Sequence, residues 1–342
     1  MSGSILWYVH DHGTGHLQRA RAVVPKISAP VIVAAGPGVF AAAATAFGEG
    51  VIGLPSDIPE RATTTLGPFH HAPSDRCIRA RSAAIAETVA AHGCTTAVVD
   101  VSVETAVLAR LLGLRVVSVR QSGVRNDDPH HLGFATADAV WIPQHRSLEP
   151  IDADDEHCDA RWRFTGAFSR FDQRSPEARH ETEPRQHTLV LLLGGGGNSL
   201  DVERWKAARP PAGWRVLIVG AAHRWTRWKV ASVGRIDDVF AVLSSADVVV
   251  SSAGWGAVAD AAAARARLVV VAEPRPFDEQ LVRAQALAAH GLAVSIGCWP
   301  DPCELGDIID MAAQLDPRRW AEFYDGRGAD RAAQLIEEVH NR

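Results

Sequence analysis

The sequence predicts an α/β protein made of two Rossmann-like domains that face each other across a cleft. In both halves of the 342-residue chain, short aliphatic runs alternate with alanine-rich helical stretches, which is the rhythm of parallel sheets covered by helices. A glycine-rich turn follows the first strand of each half, and a polar stretch separates the halves. We expect an N-terminal domain over residues 1–160, an interdomain connection over 161–186, a second domain over 187–316 and C-terminal helices over 317–342.

The composition is that of an ordinary globular protein with a sizeable core, with 47% hydrophobic and 22% charged residues. The net charge of −5 argues against nucleic acid as a partner. The five cysteines form no CxxC pair, which indicates reduced thiols rather than a zinc knuckle. The sequence shows no signal-peptide pattern and no apolar run near the ~20 residues that span a bilayer. We therefore expect a cytoplasmic protein.

The first half of the chain is predicted to contain six strands with helices between them. The strands are expected at 5–9, 31–34, 51–54, 97–101, 116–119 and 139–143, and the last of these is expected to close the sheet. Helices are expected at 17–24, 38–47, 74–92 and 104–112, and a loop at 126–131. The polar connection that follows contains a further short strand at 163–166.

The loop after the first strand combines a glycine turn with three histidines and an acid, in the order His10, Asp11, His12, Gly13, Thr14, Gly15 and His16. One interpretation is a first βα turn with incidental polar residues. Another is the metal site of a hydrolase, because His10 and His12 end a first strand and His16 stands four residues further on.

Asp100 ends a buried strand, at the edge of a parallel sheet where active sites form. It is therefore a candidate general base for a hydroxyl group, and Glu104 is a weaker candidate one turn further on. Alternatively, Asp100 is the N-cap of the following helix. The sequence leaves both interpretations open.

The second half repeats the pattern, with strands expected at 189–193, 216–220, 230–233, 248–250, 268–272 and 293–296. The turn at 194–197 is four successive glycines, which indicates close approach of a ligand to the backbone. Asn198 or Ser199 is expected to cap a helix that runs to Ala208.

The stretch 244–288 reads as strand, glycine turn, helix, strand, loop and helix. Gly254 and Gly256 lead into the first helix, so a phosphate could bind the free N–H groups at its positive end. Asp260, about one turn further on, is either an acceptor of ribose hydrogen bonds or a solvated helix residue.

This stretch resembles the donor-binding half of the glycosyltransferases related to MurG, the N-acetylglucosaminyltransferase that acts on a lipid-linked acceptor. The resemblance rests on the turn Ser252-Ala253-Gly254, on Asp260 where relatives carry Glu, and on the loop Phe277-Asp278-Glu279-Gln280. It implies the GT-B glycosyltransferase fold, with C-terminal helices that cross back to the first domain.

Three weaker matches extend the resemblance. Gly13-Thr14-Gly15-His16 is similar to the Gly-His end of the family's N-terminal loop, which abuts the donor diphosphate or the acceptor. Arg120-Gln121-Ser122-Gly123 is similar to its Glu-Gln-Asn-Gly loop, and Arg235-Ile236 stands where the family reads the uracil edge, with Arg235 replacing an aromatic residue.

The resemblance implies an inverting transferase that moves a sugar from a nucleotide donor, expected to be a UDP-sugar, to a hydroxyl acceptor. His16 or Asp100 would be the base. The expected donor-binding residues are Gly13, Thr14, Gly15, Gly195, Gly196, Gly197, Asn198, Arg235, Ile236, Ser252, Gly254, Trp255, Gly256, Asp260, Asp278, Glu279 and Gln280. The expected acceptor residues are Asp11, His12, Arg120 and Gln121.

No cofactor and no metal are expected, because no Asp-x-Asp pair follows a strand. A lipid-linked acceptor, with peripheral contact at the inner face of the membrane, is implied by the family alone. Two alternatives are a UDP-sugar 2-epimerase, which shares the two-domain fold, and a metal-dependent hydrolase built on His10, His12 and His16.

Overall fold

The structure is a computed structural model that describes residues 3–10, 14–56, 67–71, 76–149, 160–175, 186–195, 197–220, 224–227, 229–234, 236 and 238–342. Within these residues the chain forms two α/β domains, each built on a seven-stranded sheet. The predicted fold class, two Rossmann-like domains facing a cleft, is confirmed.

The first domain alternates strands and helices. Its elements are β1 Ser4–Val9, α1 Gly15–Val23, β2 Val31–Ala35, α2 Pro37–Phe47, β3 Val51–Gly53, α3 Arg76–His92, β4 Cys94–Asp100, α4 Val103–Leu111, β5 Arg115–Val119, α5 Asp128–Ala135, β6 Ala139–Ile142 and β7 Trp162–Phe164. The strands are all parallel, in the order β3-β2-β1-β4-β5-β6-β7.

The second domain repeats this design. Its elements are β8 His187–Leu192, α6 Val202–Lys206, β9 Trp214–Val219, β10 Trp225–Arg227, β11 Val230–Gly234, α7 Phe240–Ser245, β12 Val248–Ser252, α8 Trp255–Ala263, β13 Leu268–Val271, α9 Glu279–Ala289, β14 Ala293–Ile296 and α10 Leu305–Ala313. The strand order is β10-β11-β9-β8-β12-β13-β14, in which only β10 is antiparallel. Helices α11 Trp320–Phe323 and α12 Gly328–His340 follow.

The strand order places a ligand crevice in each sheet. The chain reverses direction along the sheet between β1 and β4 in the first domain and between β8 and β12 in the second. The central strands are aliphatic because helices cover both of their faces, as in β12, whose five residues are all buried. Ligands of such sheets bind at the carboxyl ends of the strands beside the reversal.

Three details of the predicted elements are wrong. The strand ending near Pro143 does not close the first sheet, because β7 pairs with β6 beyond it. A helix, α5, begins at Asp128 where a loop was expected, since the proline at its second position suits a first helical turn. Neither Asn198 nor Ser199 caps a helix: α6 begins only at Val202, and Asp201 accepts the N–H of Arg204.

Helix α12 follows the second domain in the sequence but packs against the first domain. Ala332, Ile336 and Val339 are buried in the same cluster as Trp7 of β1. At its end, His340 Nδ1 lies 2.9 Å from the hydroxyl of Thr96. The C-terminal segment therefore adds to the core of the first domain.

The start of α12 is pressed against the segment that leads out of the first domain. A Cβ on Gly328 would lie 2.5 Å from the carbonyl oxygens of both Gly166 and Ala167. We expect Gly328→Ala to lower the free energy of unfolding by about 1–3 kcal/mol, because backbone has to move to admit the methyl group. Chemical denaturation measures this change.

Gly306→Ala is the matched control for this prediction. Gly306 is also helical, but a Cβ there would meet nothing within 4 Å. Alanine is the better helix former by about 1 kcal/mol, so this variant is expected to be as stable as the parent or more so. Equal stability of the two variants would contradict the close approach at Gly328.

Within the described ranges, none of the helices has both the length and the apolar character needed to cross a bilayer.

Candidate active site

A cleft of ≈ 460 Å³ separates the two domains at the carboxyl ends of their strands. The first domain contributes residues that follow β1, β4 and β5, and the second contributes residues that follow β8, β12 and β13. The two walls differ in chemistry. The first carries the cleft's histidines, and the second carries most of its glycines.

His16 faces the cleft with Asp100 behind it. His16 is the second residue of α1, and its Nδ1 lies 2.9 Å from Oδ1 of Asp100, the last residue of β4. Asp100 is 0% exposed, so it cannot reach a substrate directly. The carboxylate holds the proton on Nδ1 and leaves Nε2 as an acceptor. Asp100 is therefore suited to orient His16, and His16 is the side chain placed to take a proton.

The turn after Asp100 is strained. Val101 has φ 64°, which a β-branched residue seldom adopts. Ser102 follows and caps α4, because its Oγ accepts the N–H of Thr105. The interpretation of Asp100 as the cap of this helix is therefore wrong. Backbone strain of this kind is concentrated at functional sites.

Arg19 binds Asp100 through both carboxylate oxygens. Its Nε donates to Oδ2 at 2.8 Å and its Nη2 donates to Oδ1 at 2.9 Å. Burial opposes the charged form of Asp100, but Arg19 and His16 outweigh it and hold the pKa of Asp100 well below its usual range. Asp100 is thus an ionised carboxylate at any working pH.

The surroundings of His16 favour its neutral imidazole form. Burial lowers the pKa of His16, and the charges of Arg19 and His10 lower it further, against the opposing effect of Asp100. A neutral imidazole with a free Nε2 is the form that accepts a proton. The site therefore contains a base that is ready without prior deprotonation.

The second wall presents backbone N–H groups. Gly254 is the N-cap of α8, and no side chain of the described residues caps that helix. Trp255 and Gly256 of the first turn line the cleft together with Gly195 and Gly197 from the turn after β8. A helix N-terminus beside a glycine turn is an anion site suited to phosphate groups.

Glu273 fixes the glycine turn to the second sheet. Its Oε1 accepts the backbone N–H of Ser199 at 2.7 Å and the indole N–H of Trp299 at 2.5 Å. Its own backbone N–H donates to Oε1 of Gln280. Gln280 therefore has its carbonyl occupied, and its amide nitrogen is directed toward the turn at Gly254. These contacts preorganise the anion site.

Arg275 adds a full positive charge at the mouth of this site. It lines the cleft, and its Nη2 donates to the carbonyl of Gly197 at 2.9 Å. The guanidinium thus lies beside the backbone that we expect to hold phosphate.

The loop after Arg275 reaches across to the first domain. Phe277 and Asp278 both have left-handed backbone, with φ 59° and 52°. The carbonyl of Phe277 accepts the N–H of Val124 at 2.8 Å, across the domain boundary. A Cβ on Gly123 would lie 2.4 Å from that carbonyl oxygen, so glycine is required there. Loops of the two domains are therefore joined at this point.

His130, His70 and Arg125 surround the ring of Phe277. The centroid of the His130 ring lies 4.6 Å from that of Phe277, and the Arg125 guanidinium lies 4.9 Å from it. Burial, with a smaller contribution from Arg125, lowers the pKa of His130 to about 4. This aromatic and histidine-rich cluster lines part of the cleft.

His70, Asp127 and His130 place one ligand atom each within 4.8 Å of one another. The hydrogen bonds account for this group without an ion. Arg125 Nη1 lies 3.0 Å from Nε2 of His130 and can only donate, so the His130 proton is on Nδ1, which faces Asp127. His70 Nε2 donates to the other carboxylate oxygen at 3.1 Å. A metal would need the Nδ1 lone pair that this arrangement uses.

The structure brings most of the predicted site residues together. Those that line the cleft are Thr14, Gly15, His16, Gln121, Gly195, Gly197, Ser252, Gly254, Trp255, Gly256, Glu279 and Gln280. Asp11, His12, Gly13, Gly196 and Arg235 lie outside the described residues. Asn198, Ile236 and Asp278 are described but do not line the cleft.

Two further predicted residues are engaged elsewhere. Asp260 accepts a hydrogen bond from Ser169 at 2.6 Å and pairs with Arg170 at 3.4 Å, outside the cleft lining. Arg120 is buried against Glu149, with Nη1 2.5 Å from Oε1, so it does not face the acceptor. The roles expected for both residues from the resemblance have no support in their positions.

Sequence reasoning missed the residues that support the site. Arg19, Arg125, Glu273 and Arg275 were not expected there. Arg275 could have been found, because it precedes the loop Phe277-Asp278-Glu279-Gln280 by two residues. The pairing of Arg19 with Asp100 spans 81 residues and gives no local signal.

Comparison with known proteins gives a family match in the second domain. Residues 228–297 match the glycosyltransferase family 28 C-terminal domain. This match contains α8 and the loop that carries Arg275, Glu279 and Gln280. A search of curated protein sequences returns no match.

Solved structures share the fold over the whole chain. The calicheamicin glycosyltransferase CalG4 has a TM-score of 0.69 and 17% identity, covering 100% of this chain and 99% of that one. MurG of Acinetobacter baumannii has a TM-score of 0.67 and 17% identity, covering 98% and 99%. The glycosyltransferase of kitacinnamycin has a TM-score of 0.67 and 18% identity, also covering 98% and 99%.

At these identities, the solved structures establish the GT-B fold, and the domain match adds the family 28 character of the second half. The chain has the GT-B fold, and residues 228–297 of its second domain match the glycosyltransferase family 28 C-terminal domain.

Proposed function

We propose that the protein is an inverting, metal-independent transferase that moves a sugar from a UDP-sugar, such as UDP-N-acetylglucosamine, to a hydroxyl acceptor. One observation carries the proposal. His16, backed by Asp100, faces the uncapped start of α8 and the glycine turn across a single ≈ 460 Å³ cleft. A base and a phosphate site are thus placed on opposite sides of the space where a sugar would lie.

The reaction needs one displacement. Nε2 of His16 takes the proton of the acceptor hydroxyl while the hydroxyl oxygen attacks the anomeric carbon. The bond from that carbon to the phosphate oxygen breaks, and the nucleoside diphosphate leaves with the electron pair. Attack opposite to the leaving group inverts the configuration. Asp100 stabilises the imidazolium that results, without taking the proton itself.

The leaving diphosphate is stabilised by groups of the second domain. N–H groups at the start of α8 and in the glycine turn, together with Arg275, supply positive charge where the phosphates would develop negative charge. We infer that these groups take the part that a divalent cation takes in metal-dependent transferases.

Glu279 is suited to bind the donor sugar. Burial opposes its ionisation, but Arg283 and Arg125 outweigh this and keep the pKa of Glu279 below its ordinary value. An ionised carboxylate that lines the cleft accepts hydrogen bonds from sugar hydroxyls. Beside it, the amide of Gln280 offers a donor.

Two similar structures support a nucleoside diphosphate as the ligand. One is described as LpCGTa in complex with UDP, and the other as the spinosyn rhamnosyltransferase SpnG complexed with thymidine diphosphate. We propose uridine as the nucleoside, on the family resemblance, and thymidine is the alternative that the SpnG structure suggests.

The acceptor half of the cleft is mixed in character. Val101, Val119, Phe134 and Phe277 give it apolar surface, and histidines and Gln121 give it hydrogen-bonding groups. We propose an acceptor that carries a hydroxyl group on an apolar body. A compact aglycone fits this description. A lipid-linked sugar at the inner face of the membrane also fits it, and this is the acceptor that the resemblance to MurG implies. In either case we propose a cytoplasmic enzyme.

Calorimetric titration with UDP, dTDP and GDP, each with and without EDTA, tests the donor site. We expect micromolar binding of UDP that EDTA does not change. Arg275→Ala is expected to weaken binding about 10–100-fold, because a hydrogen bond to a charged group contributes about 1.5–3 kcal/mol.

Arg204→Ala is the control, since Arg204 is an exposed arginine of the same domain paired with Asp301. It removes the same charge away from the cleft and should leave UDP binding unchanged. Absence of nucleotide binding, together with stoichiometric zinc in the protein, would overturn the proposal in favour of a hydrolase site at His10, His12 and His16.

A further inference from the structure

We propose that Arg19 is a positioning residue of the transfer reaction. It shares the Asp100 carboxylate with His16, and it connects this pair to α8, the helix proposed to bind the donor phosphates. The inference rests on the proposed role of His16 as the base. It adds a third member to the pair, with a function that differs from theirs.

The contacts show that Arg19 and His16 compete for one oxygen. Oδ1 of Asp100 lies 2.9 Å from both His16 Nδ1 and Arg19 Nη2, while Arg19 Nε occupies Oδ2 at 2.8 Å. Arg19 Nη2 also lies 3.0 Å from His16 Nδ1, and because both nitrogens donate to Oδ1 this is a close approach of two donors and not a hydrogen bond. Arg19 is 1% exposed, so solvent does not weaken these contacts. The planar fork of an arginine fits both oxygens at once, which a lysine cannot do.

The sharing limits how strongly Asp100 attracts the His16 proton. An unshared carboxylate would stabilise an imidazolium with its full charge, whereas the Asp100 charge is balanced by a guanidinium that never loses its proton. His16 therefore stays neutral before the reaction, and its imidazolium gives up its proton readily afterwards. The arrangement therefore favours release of the proton from His16 between reaction cycles.

Among the residues that the structure describes, two other charged groups lie near the pair of His16 and Arg19. His10, at the end of β1, has its ring 5.4 Å from that of His16 and lowers the His16 pKa. Glu279 of α9 is close enough across the cleft to interact electrostatically with Arg19. Helix α8 presents Trp255, which is uncharged. Removal of the Arg19 charge therefore leaves Asp100 as the dominant charge on His16.

Arg19 also contacts the donor side. Its guanidinium lies 5.2 Å from the centre of the Trp255 ring, and Trp255 is the first residue of α8. The indole N–H of Trp255 donates to the carbonyl of Pro143, which fixes the ring between the domains. Arg19 is thus held between the base and the start of the phosphate-binding helix, and a cation on an aromatic face is a favourable contact.

Two substitutions separate the charge of Arg19 from its geometry. Arg19→Gln removes the charge but keeps a hydrogen-bond donor toward Asp100, and Arg19→Lys keeps the charge but loses the fork. The readout is the pKa of the His16 imidazole, measured by NMR titration of the unliganded protein with labelled histidine. We expect the His16 pKa to rise in Arg19→Gln and to stay near the parent value in Arg19→Lys.

The pH profile of kcat/KM gives a second readout. Each unit of increase in the His16 pKa lowers the neutral fraction tenfold on the acidic side of the profile. Arg19→Gln should therefore lose activity mainly at low pH, and the acidic limb of its profile should move to higher pH. In Arg19→Lys the limb should stay in place while the rate falls at every pH, because the orientation of His16 is less well fixed.

A His16 pKa that is the same in the parent and in folded Arg19→Gln would overturn the inference, as would a purely uniform loss of activity in that variant. These results are distinct from failure of the proposed function. If His16→Ala retains full transfer activity, the proposed base is wrong, whereas the NMR titration still reports whether Arg19 governs the imidazole.

Discussion

His16→Ala is expected to lower kcat for sugar transfer by about 10²–10⁴-fold, the contribution of a positioned general base. The reason is that His16 lines the cleft, whereas Asp100 behind it is fully buried. The measurement is the initial rate of UDP release from a UDP-sugar in the presence of a hydroxyl acceptor.

Binding of UDP should survive this substitution, because the N–H groups of α8 and the glycine turn lie on the opposite wall. His70→Ala is the matched control: it removes another histidine of the cleft, one that belongs to the Asp127 pair. We expect that variant to affect KM for the acceptor more than kcat. Equal losses of kcat in the two variants would contradict a special role for His16.

The fold and much of the donor site could be predicted from the sequence, because their signals are local. A parallel strand that ends in a glycine turn before a helix is one continuous stretch, and it showed the cleft-lining Gly254, Trp255 and Gly256 directly. The strand predicted at 163–166 corresponds to β7, but its place at the edge of the first sheet was missed, because three residues within a polar stretch do not indicate which sheet they join.

Side-chain partnerships could not be predicted, because they join distant parts of the chain. Asp260 was expected to bind ribose from its place on α8. The structure instead turns it toward Ser169 and Arg170, on the chain that connects the domains. Burial raises the pKa of Asp260 there. A helix position defines a face, but only the packing of the rest of the chain decides what that face meets.

The same limit applies to the base. The sequence offered His16 and Asp100 as competing candidates, and the structure makes them partners, since β1 and β4 are neighbours in the sheet. The local sequence pattern does not reveal the order of strands in a sheet. The pairing of His16 with Asp100 therefore could not be predicted from it.

Asp100→Ala is expected to lower the free energy of unfolding by about 3–5 kcal/mol, because it leaves the buried guanidinium of Arg19 without its partner. Equilibrium denaturation near neutral pH measures the loss. Glu338→Ala, which breaks the exposed pair with Arg163, is the control and should cost at most about 1 kcal/mol. The double variant Arg19→Met/Asp100→Ala should be more stable than Asp100→Ala alone, since no buried charge is then unpaired.

The pH dependence of stability gives a stricter test of the same pair. Arg19 and His16 hold the pKa of Asp100 below its unfolded value of about 3.9, against the effect of burial. Unfolding therefore brings proton uptake at low pH, so the stability due to Asp100 is present above pH ~4 and is lost as the pH falls below that value. The parent should lose stability more steeply than Asp100→Asn on acidification below pH ~4. Parallel curves would show that Asp100 is not held as an ionised carboxylate, and the orientation of His16 would then need another cause.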